Sequence, residues 1–168
     1  RGVSLSPYSP ARHLALATVA LELNSYATAA REAHRVTELE PEITVSRALE
    51  GQAMLLAGRL EQCLGVDYGP HDVVRATCTF ELGRESEATS IVDSVIRSIG
   101  NDADNRYTDV ARMADLAVYY AWIGDAEQMM LWLERAFDLS PMGVWGRVLN
   151  TSLFTRMRNN PTTSRLLD

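Results

Sequence analysis

Residues 111–141 read ARMADLAVYYAWIGDAEQMMLWLERAFDLSP. Apolar and small side chains recur at helical spacing on both sides of Gly124-Asp125, and Ser140-Pro141 closes the second run. Glycine adopts at little cost the left-handed backbone that ends a helix, so Gly124 marks a corner between two helices, expected at about 106–123 and 125–138. The two runs form a helical hairpin.

The same punctuation recurs upstream. Asn24-Ser25, Gly58-Arg59 and Gly83-Arg84 each split a pair of helical runs, and the first two corners lie 34 residues apart. The first pair is expected at about 10–23 and 26–39, with Ser9 as its cap and Pro10 at the first helical position. Its alanines, Ala15, Ala17 and Ala20 against Ala27, Ala29, Ala30 and Ala33, permit close helix–helix approach, and Pro41 stops the second helix. The second pair is expected at about 43–57 and 59–66. Gly51, inside its first helix, costs about 1 kcal/mol in propensity unless a neighbouring helix needs the room. Asp67-Tyr68-Gly69-Pro70-His71 cuts this pair short. A third pair at about 71–82 and 84–98 precedes the turn-forming run Gly100 to Asn105. After the fourth pair, residues 144–168 read as a short helical cap, with Val144, Trp145, Val148, Leu149, Leu153 and Phe154 as its apolar face. The fold class is all-α, a single domain over 1–168 with repeats at about 10–41, 43–70, 71–100 and 106–141.

Composition narrows the chemistry. The 46% hydrophobic and 23% charged fractions are those of a globular chain. A net charge of −6, with arginines dispersed singly, disfavours nucleic acid and anionic lipid as partners. The 16 basic residues are all arginines. Without lysine, a Walker A loop, a pyridoxal Schiff base, a protein-kinase nucleotide site and a Ser-x-x-Lys nucleophile are excluded. Cys63 and Cys78 form no disulfide framework and read as small buried hydrophobes. The longest apolar runs, Leu14 to Leu21 and Leu116 to Ile123, fall well short of the roughly 20 residues of a membrane helix. Opening on Arg1 without a signal-peptide pattern, the chain reads as an excised segment of a longer, cytoplasmic protein.

The 111–141 stretch closely resembles a tetratricopeptide repeat. The family places aliphatic, small and aromatic residues on the first helix, Gly-Asp at the corner, alanine on the second helix and proline at its end. Here those positions are Leu116, Ala117, Tyr120, Gly124, Asp125, Ala136 and Pro141, with Met129 where a further alanine is usual. The first pair resembles the family through Leu16, Ala17, Ala20, Tyr26, Ala29 and Pro41; the second and third match only at Gly51, Gly58, Gly83 and Ala88. The string from Ile123 to Pro141 with Phe154, Arg156, Arg158 and Pro161 also looks like the last repeats found C-terminal to bacterial kinases, nucleotide cyclases and winged-helix regulators.

The resemblance implies an α-solenoid of about four helical hairpins whose first helices line a concave peptide-binding groove. By the family's register the groove-facing positions are Leu14, Thr18, Leu21 and Glu22, then Gln52, Leu55 and Leu56, then Val73, Thr77, Phe80 and Glu81, then Ala114, Val118, Ala121 and Trp122. Of these, Leu14, Thr18, Glu22, Gln52, Leu56, Thr77, Glu81, Val118 and Trp122 are the candidate peptide contacts. The Lys and Asn that clamp a carboxylate in chaperone-binding members are absent from these positions, so chaperone tails are not expected as ligands. Trp122, two residues before Gly124, is expected to be partly exposed, and Trp132 and Trp145 to be core. His13, His34 and His71 lack metal-ligand spacing, and no Gly-x-Ser-x-Gly elbow presents a serine. Glu38 with Glu40 and Glu85 with Glu87 sit at i, i+2, on different helix faces. The expectation is a non-catalytic protein- or peptide-binding module with no cofactor or metal, of a bacterial signalling protein. Homodimerisation of the parent through the terminal helices is the alternative, and a hydrolytic site grafted on the repeats the remote one.

Overall fold

The computed structural model describes residues 9–69, 72–100 and 106–140, with the backbone alone at 106 and 107. The described elements are all helices: α1 (Pro10–Glu22), α2 (Tyr26–Leu39), α3 (Val45–Leu56), α4 (Leu60–Leu64), α5 (Val73–Glu81), α6 (Glu85–Ser98), α7 (Arg106–Ile123) and α8 (Ala126–Leu139). Successive helices pack as the hairpins α1/α2, α3/α4, α5/α6 and α7/α8. The expected cap, with Trp145, lies outside the described residues, as do Pro70, His71 and most of the run to Asn105. The chain divides into two compact units, Arg1–His71 and Asp72–Asp168, parted where the sequence cuts the second pair short.

One motif makes all four corners. Asn24, Gly58, Gly83 and Gly124 have φ of 56°, 71°, 75° and 84°. At each, the amide after the corner residue donates back to the fifth carbonyl before it: Ser25 to Ala20 at 2.7 Å, Arg59 to Met54 at 2.9 Å, Arg84 to Thr79 at 3.1 Å and Asp125 to Tyr120 at 2.8 Å. The corner amide itself donates three residues back, to Leu21, Leu55, Phe80 and Ala121. This paired arrangement, the Schellman motif, satisfies carbonyls that the helix end would otherwise orphan. Asp125 also caps α8 by accepting from the Gln128 amide at 3.0 Å. Ser9 does not act as a side-chain cap on α1: its carbonyl receives the Arg12 and His13 amides instead.

In the first unit, alanine sets the helix spacing. Ala17, Ala20, Ala29 and Ala33 are buried, with Leu21 and Val36, between α1 and α2; Ala15 and Ala27 are exposed. Across α2 and α3, Thr37 and the buried Ser46 join hydroxyls at 2.8 Å. The room left by Gly51 is taken by the Tyr68 ring, rather than by a neighbouring helix. A Cβ at residue 51 would fall inside that ring. Tyr68 is fully buried, donates to the Cys63 carbonyl at 2.8 Å, and lies 3.1 Å from its sulfur. Both cysteines are buried, but neither is a free thiol, which corrects their expected reading as simple small hydrophobes.

The second unit packs large side chains. Leu116, Met113, Tyr119, Met129, Trp132, Val92 and Val110 form one buried cluster with Phe80, Tyr120, Leu133 and Phe137 against it. Met129, 2% exposed, fills the mid-helix position where alanine is usual, whereas Met130 beside it is exposed. Trp132 is core; the Arg135 guanidinium lies 4.8 Å from its ring centre, and its indole nitrogen is buried without a hydrogen-bond partner.

Candidate functional site

In the second unit α5 and α7, the first helices of their hairpins, pack against each other. Phe80 on α5 meets Tyr119 on α7 edge to face at 6.4 Å, and Tyr119 meets Tyr120 at 5.4 Å. Such offset aromatic contacts align a ring's positive edge with a neighbour's negative face. One turn further on, the Trp122 indole N–H donates to the Glu81 carboxylate at 2.5 Å. Glu81 is exposed and Trp122 partly so, which makes this bond a surface feature that orients the indole rather than a core contact. Two residues placed in the groove by family register, 41 positions apart in the chain, are thus brought together. Val118 is half-buried beside them on α7. Thr77 is 5% exposed and its hydroxyl donates to the Val73 carbonyl at 3.0 Å, so it packs within α5. Val73, Ala114 and Ala121 are also buried.

In the first unit, α1 and α3 make a smaller contact. Leu21 on α1 lies buried in a cluster with Ala20, Ala29 and Ala53, and Leu56 on α3 packs against it, partly exposed. Gln52 and Leu14 are partly buried, and Thr18 and Glu22 exposed. The Thr18 hydroxyl donates to the Leu14 carbonyl at 3.0 Å. This surface is apolar at Leu14 and Leu56, with Gln52 and Glu22 as its polar groups.

Two histidine–carboxylate latches in the first unit escape a reading of sequence. His13 Nδ1 lies 2.7 Å from Glu32, joining α1 to α2, and His34 Nδ1 lies 3.1 Å from Glu50, joining α2 to α3. The His13 hydrogen bond, against some desolvation, holds the Glu32 carboxyl below its usual range. Burial pushes the Glu50 carboxyl up, with His34 partly offsetting it. Glu38 is held down chiefly by its hydrogen bond from Arg35, and Glu40 is exposed. On α7, Asp109 is buried and accepts from the Gly100 amide at 3.0 Å and from Arg112 at 3.3 Å. Burial also raises the phenols of Tyr119 and Tyr120, keeping them neutral. No sequence signal gives the two histidine–carboxylate pairs, because their partners sit on different helices.

Among the described residues no three His, Cys, Asp or Glu side chains gather to hold a metal ion, and no helix is long and apolar enough to cross a membrane. What these residues offer is apolar side chains and a few oriented polar groups. Comparison of the chain with protein-family models, curated proteins and solved structures finds no match.

Proposed function

We propose that the hairpins are tetratricopeptide-like repeats of an α-solenoid, and that the chain is a non-catalytic module binding a peptide or protein segment along its first helices. The Trp122–Glu81 bond carries this reading. It presents, between two adjacent first helices, a partly exposed indole beside a hydrogen-bonded carboxylate, and tryptophan is enriched among the residues that anchor bound partners. The identical corner motif at four hairpins supports the repeat architecture. The acidic tint of the surface favours a ligand carrying Arg or Lys next to an apolar side chain. As the regulatory end of a bacterial signalling protein, the module would dock a partner without chemistry of its own.

A displayed random-peptide selection on the 168-residue chain tests this. The expected result is enrichment of basic–apolar sequences whose binding is weakened by Glu81→Gln. Failure to enrich any peptide, alongside tight binding of a small molecule, would sink the reading.

A further inference from the structure

α1 has a second apolar face. Ala17 and Leu21 are buried within the first unit, whereas Leu16, Val19 and Leu23, spaced i, i+3, i+7, are 43%, 55% and 73% exposed and face away from them. These are three of the five large hydrophobics exposed among the described residues, gathered on one stripe. Because the first two corners are 34 residues apart, Leu16 and Val19 correspond to Glu50 and Ala53 on α3. There the same face is covered: Glu50 is latched to His34 of α2, and Ala53 is 0% exposed in the cluster with Ala20 and Ala29. α3 meets its neighbours with a small side chain, as close approach demands. α1 presents branched aliphatic ones, which suit a facing stripe of equal bulk.

We propose that this stripe docks on the same stripe of a second copy of the chain, α1 against α1, antiparallel about a two-fold axis. The charges favour it. Arg12 lies at the N-terminal end of the stripe and Glu22 flanks its C-terminal end, and both are without an ion pair among the described residues. In an antiparallel register centred between residues 16 and 19, Leu16 meets the partner subunit's Val19. Arg12 comes beside the partner subunit's Glu22, and the symmetry repeats the pair at the other end. A parallel pairing would set arginine against arginine. Three side chains per copy make a contact far smaller than the roughly 1,600 Å² of a standard interface, so the dimer is weak and concentration-dependent.

Sedimentation equilibrium of the full 168-residue chain decides it. The mass should rise from 18.6 kDa towards twice that value as concentration increases from about 10 μM to about 1 mM. Val19→Glu, at an exposed position that leaves the fold intact by circular dichroism, should stay monomeric throughout. Arg12→Glu should weaken association at least about threefold, and adding Glu22→Arg should restore it. A wild-type chain monomeric at 1 mM, or a dimer unchanged by Val19→Glu, overturns the proposal; failure of the double swap to restore association overturns the antiparallel register. The readout is mass, so it stands or falls separately from peptide binding.

Discussion

In the first unit helices approach across Ala17, Ala20, Ala29 and Ala33 and are latched by His13–Glu32, His34–Glu50 and Thr37–Ser46. In the second they are held apart by Leu116, Met129, Trp132 and Tyr119 and carry an aromatic chain through Phe80. Both units turn the same corner. The difference shows that a hairpin plan fixed by backbone hydrogen bonds tolerates two kinds of interior: small side chains with directional polar latches, or large ones with volume. It also fixes what each unit shows outside. The alanine-packed unit leaves Leu16, Val19 and Leu23 on its surface, while the aromatic unit offers a hydrogen-bonded indole.

If volume holds the second unit, truncating its most buried aliphatic should have the largest effect. Leu116→Ala, at a 0% exposed position, should cost about 2–5 kcal/mol in urea denaturation. A loss below about 1 kcal/mol would break the contrast. The first unit should instead be intolerant of added volume. Gly51→Ala drives a methyl group into the Tyr68 ring and should cost about 1–3 kcal/mol. Tyr68→Leu in the same chain should recover part of that loss, as residues sharing one cavity are coupled.

The shared corner predicts shared backbone energetics. Gly124→Ala, with φ of 84°, should cost about 1–2 kcal/mol, and Asn24→Gly, with φ of 56°, should be neutral or stabilise by under about 1 kcal/mol. The polar latches predict the smallest effect and a pH signature. Burial raises the Glu50 carboxyl, so the folded chain holds that proton more tightly than the unfolded chain. Its ionisation therefore removes stability as pH rises from its ordinary value of 4.5 through the folded one. Glu50→Gln should gain about 1 kcal/mol or less at neutral pH and lose the advantage near pH 4. Glu32 is depressed, so its contribution has the opposite sense, being present above 4.5 and lost as pH falls through its lowered value. Melting temperatures of Glu50→Gln and Glu32→Gln across pH 3–8 check both signs.

The corners were legible because the Schellman turn is local: Asn24, Gly58, Gly83 and Gly124 announce it within six residues, and the helix ends follow to within two or three positions. Partial exposure of Trp122 followed from its place beside such a corner. What sequence hid depends on tertiary partners. Gly51 signalled a close approach without saying that a tyrosine beyond α4 would make it. Glu50, an acid in mid-helix, reads as solvent-facing, and its burial against His34 exists only once α2 and α3 pack. Among the positions expected in a groove, Thr77 sits inside because α5 is buried over most of its circumference, which its short, mixed sequence does not display.

Trp122→Ala, measured for melting temperature and for affinity towards a peptide selected on the wild-type chain, tests the central claim most directly. The partly exposed indole, held by Glu81, should contribute on the order of 2 kcal/mol to binding, an approximately thirtyfold loss, with the melting temperature nearly unchanged. A stability loss of roughly 3–5 kcal/mol, as for a core aromatic, or an affinity equal to wild type, would contradict it.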